Sequence, residues 1–315
     1  MKPAPKPPEW RQRLIARSVL QQFRESRPAD DYRPHDLGQV QFHTASQTIR
    51  GVFPGNGWGK TTAAAAEIDA WCRHTCRWQE TPAWPIVAVW FCPQYSQFGL
   101  LREQLETDII GRNIPWRKTQ DGSYYEYPDG SRWYVASADR KWSFLQGINP
   151  DLIMFDEMPS GPLWREMMMR RRGTRKTRFI VAATATDGMN HIADAVYIPW
   201  RDHHATLGLS EDAAMDEQRH GNIWCWPSGG IRDNPGADQT DVDWYEQTVW
   251  TSEKEKKVRL HGGFEDWTGD AVFAGSAIEA MRAEIDAWEG LNPTMPIEGM
   301  IEPQFVAQPR PGDRR

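Results

Sequence analysis

The chain is short of cysteine, of long apolar runs and of positive charge, and each shortage removes a class of protein. Four cysteines in 315 residues are too few for a disulfide-built scaffold. Cys72 and Cys76 stand at i, i+4 with His74 between them, but Cys92 and Cys225 are isolated, so a four-ligand zinc site has no complete donor set. Buried free thiols are expected instead. No stretch approaches the roughly 18 consecutive apolar residues of a membrane-spanning helix. The N-terminus, Met1-Lys2-Pro3-Ala4-Pro5-Lys6-Pro7-Pro8, lacks the apolar core of a secretory signal, and a cytosolic location is expected. A net charge of −6 argues against a wholly basic nucleic-acid-binding surface, though not against basic patches lining a channel. Internal repeats are absent.

What is present is enough for one large α/β domain or two small ones. Its organising stretch is Gly51-Val52-Phe53-Pro54-Gly55-Asn56-Gly57-Trp58-Gly59-Lys60-Thr61-Thr62. An apolar, β-branched run, Thr48 to Phe53, stops at Pro54. A glycine-rich loop then ends in Gly-Lys-Thr-Thr, and Ala63-Ala64-Ala65-Ala66 opens a strong helix former. Strand, glycine loop, Gly-Lys-Thr and helix together are the context of a phosphate-binding loop. Successive N–H groups of Gly55, Asn56, Gly57, Trp58 and Gly59 can wrap a phosphate, and the helix adds its N-terminal dipole. Lys60 is placed for the β- and γ-phosphates of ATP, Thr61 for Mg²⁺, and Thr62 closes the motif. Upstream of the strand, Gln41, with Gln39 as the alternative, offers both a donor and an acceptor to an adenine edge.

Asp151-Leu152-Ile153-Met154-Phe155-Asp156-Glu157 reads as a buried strand delivering two carboxylates to its C-terminal end. After such a loop, Asp156 is expected to hold Mg²⁺ and Glu157 to polarise the attacking water. Pro85 to Cys92 and Phe179 to Ala183 are further apolar runs of the parallel-strand kind. The second ends in Thr184-Ala185-Thr186, whose hydroxyls would lie beside a γ-phosphate at the carboxyl edge of the sheet. Between them, Phe98 to Ile110 reads as a helix and Tyr124 to Val135 as a hairpin about Pro128-Asp129-Gly130. Pro162 to Met169 reads as a helix, followed by the basic run Arg170 to Arg178, a solvated surface or a set of DNA-phosphate contacts.

These pieces resemble the ATPase part of the large terminase subunit of tailed bacteriophages, the DNA-packaging motor. The likeness runs from Gln41-Phe42-His43 to Val272-Phe273. It is carried by the Gly-Asn-x-x-Gly-Lys-Thr loop, Phe144-Leu145-Gln146-Gly147 ahead of the Asp-Glu strand, and Thr184-Ala185-Thr186-Asp187-Gly188-Met189 as a coupling motif. Asp233-Asn234-Pro235, Arg259-Leu260-x-Gly262 and Gly269-x-Ala271-Val272-Phe273 resemble the region that closes the ATPase domain. Pro54 replaces the usual first glycine, and Gly57 stands where many members carry an arginine. The resemblance implies a homo-oligomeric ring on a portal protein, with double-stranded DNA and a small terminase subunit as partners, in the host cytoplasm. It also implies an arginine supplied by a neighbouring subunit, for which Arg140, with Lys141 as substitute, is the candidate. The family continues into a nuclease domain that this chain has no length for, so either the nuclease is a separate subunit or the chain is truncated, and no DNA cleavage is expected from this chain by itself.

The expected fold is thus an α/β, ASCE-type P-loop NTPase with a mainly parallel sheet between helices. Residues 1–35 are read as an N-terminal arm, 36–205 as the ATPase core, 206–275 as its closing lid or linker, and 276–315 as a helix and tail. Two other functions fit the same residues: a helicase-like DNA-dependent ATPase, and a nucleotide-binding remnant without turnover. Against the first, no second RecA-like repeat is found.

Overall fold

The computed structural model describes residues 28–83, 85–119, 122–139, 145, 147–171, 177–186, 188, 190–208, 222–248 and 253–264. All belong to the first of two units, Met1–Glu265, the second being Asp266–Arg315. Residues 1–27 of the N-terminal arm, Arg140, Lys141, Gln146, most of the basic run and the region after Phe264 lie outside the described residues.

Eight strands form one sheet: β1 (Ile49–Val52), β2 (Val87–Cys92), β3 (Trp116–Thr119), β4 (Gly122–Glu126), β5 (Arg132–Ser137), β6 (Leu152–Asp156), β7 (Arg178–Ala182) and β8 (Ile223–Trp226). Their order is β3-β4-β5-β2-β6-β7-β1-β8. From β5 to β8 every pairing is parallel, while β3-β4 and β4-β5 are antiparallel. β7 therefore separates the glycine-loop strand from the Asp-Glu strand, which is the ASCE arrangement. Val52 pairs with Ala182 and Ala182 with Asp156, so three strand ends are level at one edge.

The helices are α1 (Leu37–Thr44), α2 (Lys60–Cys72), α3 (Phe98–Leu105), α4 (Gly161–Met168), α5 (Ile198–Thr206), α6 (Gln239–Thr248) and α7 (Glu253–His261). They cover both faces, which is why the central strands are apolar without alternation. Ala88, Trp90, Leu152, Met154 and Ile180 face α2 with its Ala63–Ala66, Ile68 and Trp71. Val89, Phe91, Ile153, Phe155, Phe179 and Val181 face Leu163, Trp164, Met167, Val196 and Trp200. Scattered in sequence, Trp58, Trp71, Trp90, Trp133, Trp200 and Trp224 are all fully buried.

One charged cluster crosses the α1–β1–α2 layer. Arg50 in β1 holds Glu67 of α2 through two bonds of 2.9 and 2.5 Å, and His43 Nδ1 lies 3.0 Å from the same carboxylate. All three side chains are completely buried. Burial pushes the Glu67 carboxyl up, but Arg50 and His43 more than reverse this and hold it below the ordinary value.

Two segments without a strand signal in sequence are ordered strands. β8, Ile-Trp-Cys-Trp, lies in the polar stretch beyond residue 205 but pairs with β1 over its whole length. β3 extends the Tyr124–Val135 hairpin into a three-stranded antiparallel wing.

Candidate active site

The loop between β1 and α2 owes its course to glycine at three points. Gly57 and Gly59 have φ of +76° and +94°, a left-handed backbone that suits glycine. A Cβ on Gly55 would lie 2.3 Å from the Arg259 carbonyl oxygen, so that residue is fixed by close approach. Gly59 caps α2 without a side-chain bond, leaving the first-turn N–H groups of the helix without intrahelical acceptors. Those N–H groups and the helix dipole make an anion site.

Lys60 is buried, and its Nζ donates to the Pro54 and Gly55 carbonyls at 2.8 and 2.9 Å and to Thr184 Oγ1 at 3.0 Å. Burial brings its pKa down to about 8, with Glu157 and Asp156 pulling the other way. Thr61 Oγ1 donates to Asp156 Oδ1 at 2.9 Å, joining α2 to the end of β6. The Asp156 carboxyl is pushed up to about 7, chiefly by burial and further by Glu157, against the Thr61 hydrogen bond. Thr184, at the end of β7, donates its hydroxyl to Asn56 Oδ1 at 3.0 Å and its amide to Glu157 Oε2 at 3.2 Å. Glu157 has φ +83°, unusual for a residue with a side chain.

These groups open into one cavity of about 1120 Å³, ample for a nucleoside triphosphate. Asn56, Gly57, Gly59, Lys60, Thr61, Thr62, Asp156, Glu157, Thr184 and Thr186 line it together. Gly55 and Trp58 do not. The Trp58 indole is buried and donates to Asp36 Oδ2 at 2.5 Å, so this residue anchors the loop from behind.

Neither Gln41 nor Gln39 is among the lining residues. They sit on α1, which packs behind the loop. The Gln39 amide donates to the Trp58 carbonyl at 3.1 Å and its oxygen accepts from Tyr32 and from the His35 N–H. Its donors and acceptors are thus spent on holding the loop. Arg140 lies outside the described residues.

The far walls come from outside the phosphate loop and the Asp-Glu strand. Gln94, Gln97, Leu100, Leu101 and Gln104 come from the end of β2 and from α3. Asn234 and Arg259 come from the segment after β8. That segment grips the loop through its backbone: Gly55 N–H donates to Gly229 O at 2.7 Å and Asn56 N–H to Arg259 O at 2.5 Å. Asn234 Nδ2 adds a 2.7 Å bond to the Gly57 carbonyl.

No protein-family model matches the chain, and no curated protein does. Solved structures do. The ATPase domain of the large terminase of Thermus phage P74-26 aligns with 74% of this chain and 97% of its own, at 20% identity and TM-score 0.49. An arginine-to-alanine variant of that domain aligns equally. The large terminase of a second, thermophilic bacteriophage, in complex with ADP, aligns with 68% of this chain at 11% identity and TM-score 0.43. Half of that terminase chain is covered. The structures it resembles are phage large terminase proteins. The chemistry below rests on this chain's own residues.

Proposed function

We propose that the chain hydrolyses ATP and is the motor subunit that drives double-stranded viral DNA into a procapsid. The observation that carries the ATPase part is the meeting of Lys60, Thr61, Asp156, Glu157 and Thr184 in one cavity, from three level strand ends. The packaging part is supported by the terminase-like motifs that supply those residues.

In this reading the loop amides and Lys60 bind the β- and γ-phosphates. The Thr61 hydroxyl and Asp156 carboxylate are hard oxygen donors 2.9 Å apart, and one carboxylate plus a hydroxyl beside substrate phosphates suits Mg²⁺. Bound there, the ion would neutralise phosphate charge. Glu157 orients a water and takes its proton as the water oxygen bonds to the γ-phosphorus and the bond to the β–γ bridging oxygen breaks. Thr184 and Thr186 contact the γ-phosphate. The partners are duplex DNA, a portal protein, a small terminase subunit and further copies of the chain in a ring, in the host cytoplasm.

The test is steady-state ATP turnover of the purified chain, with and without duplex DNA, beside Lys60→Ala. Turnover abolished by the substitution and stimulated by DNA is expected. Turnover indifferent to DNA would remove the translocase half, and none at any protein concentration would remove the enzyme.

A further inference from the structure

Among the described residues lining the cavity there are two cations, Lys60 and Arg259, and two carboxylates, Asp156 and Glu157. Lys60 balances at most one of those acids, so beyond Mg²⁺ and the helix dipole Arg259 is the cation left in the lining to meet a polyphosphate. Arg259 reaches the same cavity from α7, close to the other end of the described chain. Its backbone is tied to the loop, since its carbonyl accepts from Asn56 N–H at 2.5 Å. The side chain has no part in that clamp, because any residue supplies a carbonyl. Its Nε instead donates to Glu255 Oε1 at 2.8 Å, one turn back along α7. This pair is only partly buried, with 33% and 24% of the two side chains exposed, and such an i, i+4 pair is weak enough to exchange for a better acceptor. A planar guanidinium matches phosphate oxygens bidentately. Within the loop itself, a Cβ at Gly57 would lie 2.7 Å from Ile231 Cγ1, so no side chain from that position can take the task.

We propose that Arg259 is a polyphosphate-contacting residue supplied in cis: it leaves Glu255 for the β- or γ-phosphate and couples α7 to the bound nucleotide. The proposal rests on the nucleotide-site reading above.

The test uses the full chain with Mg²⁺ and measures ATP, ADP and AMP affinity and ATP turnover for the wild type, Arg259→Met, Arg259→Lys and Glu255→Gln. Thermal melts of each variant report whether the backbone clamp survives. Arg259→Met is expected to weaken ATP binding roughly ten- to a hundredfold, as loss of a charge-assisted hydrogen bond does, and to leave AMP binding alone. Arg259→Lys should recover part of the loss. Glu255→Gln weakens the hold of Glu255 on the guanidinium and should leave ATP affinity equal or tighter. An Arg259→Met chain that binds and turns over ATP within about twofold of the wild type overturns the proposal. So does a Glu255→Gln chain that loses ATP affinity, which would mark the pair as structural. The second result stands even if Arg259→Met fails to fold. A wild type that binds no nucleotide removes the site reading itself, whereas a wild type that turns over ATP beside an unaffected Arg259→Met removes only this role.

Discussion

The Thr184 hydroxyl lies between the loop lysine and the loop asparagine, accepting from Lys60 Nζ at 3.0 Å and donating to Asn56 Oδ1 at 3.0 Å. Its amide meanwhile holds Glu157. One residue thus joins the phosphate loop to the carboxylate proposed to orient water. Thr184→Val keeps the branched shape and removes the hydroxyl alone. It should lower kcat more than it raises KM, because the Pro54 and Gly55 carbonyls still hold Lys60 while Asn56 loses its donor. Stability should fall by about 1–2 kcal/mol for a buried hydroxyl with both partners lost. Thr184→Ser should restore most of the rate. Equal loss in Thr184→Ser and Thr184→Val would show that packing, not the hydroxyl, matters there.

Glu157 combines an exposed carboxylate with a left-handed backbone. Such a conformation costs a residue with a side chain roughly 1–2 kcal/mol, and strain of this kind gathers at functional positions. Glu157→Gln should bind ATP and lose at least about a hundredfold in turnover, the usual share of a general base. Glu157→Gly should lose turnover as fully while unfolding at higher denaturant, with a gain of about 1 kcal/mol from the relieved backbone. A glycine variant less stable than the wild type would show that contacts of the Glu157 side chain, not the fold around it, set this backbone.

Much of this site was legible because its signals are local. Gly-Lys-Thr after an apolar run, and Asp-Glu after another, follow from what a phosphate and an edge carboxylate require of adjacent residues. The level register of Val52, Ala182 and Asp156 then brings them together. Gln39 was open to two readings because a donor–acceptor side chain near a loop serves a base edge or a backbone carbonyl equally well. In the structure it holds the Trp58 carbonyl. Arg259 and Asn234 stood in segments read as closing the ATPase domain, without a mark that they would line the cavity. They arrive through main-chain bonds between residues 229 and 55 and residues 259 and 56, in which the Arg259 side chain takes no part. β8 was hidden for a related reason: four residues rich in tryptophan inside a polar stretch become a strand only because β1 offers them an edge.

The Arg50–Glu67 pair is sealed from water on both sides, so removing one partner leaves a buried charge. Glu67→Ala should cost roughly 3–5 kcal/mol by denaturant unfolding, whereas a volume-matched apolar replacement of both residues should cost much less. His43 sharpens the test, since burial holds its pKa down in spite of Glu67. With the carboxylate gone, the hydrogen bond its ring retains is to Tyr32 OH, 2.9 Å from Nε2. A Glu67→Ala loss under about 1 kcal/mol would mean that water reaches the Arg50 guanidinium.

Asp69, on the same helix as Lys60, gives a pH dependence of definite sign. Its carboxylate accepts from Arg73 Nε at 2.8 Å and from Tyr127 OH at 2.7 Å, and only 2% of the residue is exposed. Burial dominates and pushes its pKa from 3.8 up to about 6, with Arg73 and Tyr127 opposing. Between those two values the folded chain keeps a proton that the unfolded chain has released. The contribution of Asp69 to stability is therefore complete below pH 3.8 and is lost as pH rises toward about 6. Asp69→Asn cannot titrate but still offers an oxygen to Tyr127. Unfolding free energies of the two chains, measured from about pH 4 to 7, should converge or cross as the wild type loses on the order of 2 kcal/mol over the window. Parallel curves would mean that Arg73 keeps Asp69 ionised throughout, and the ion pair, rather than burial, would then govern this end of α2.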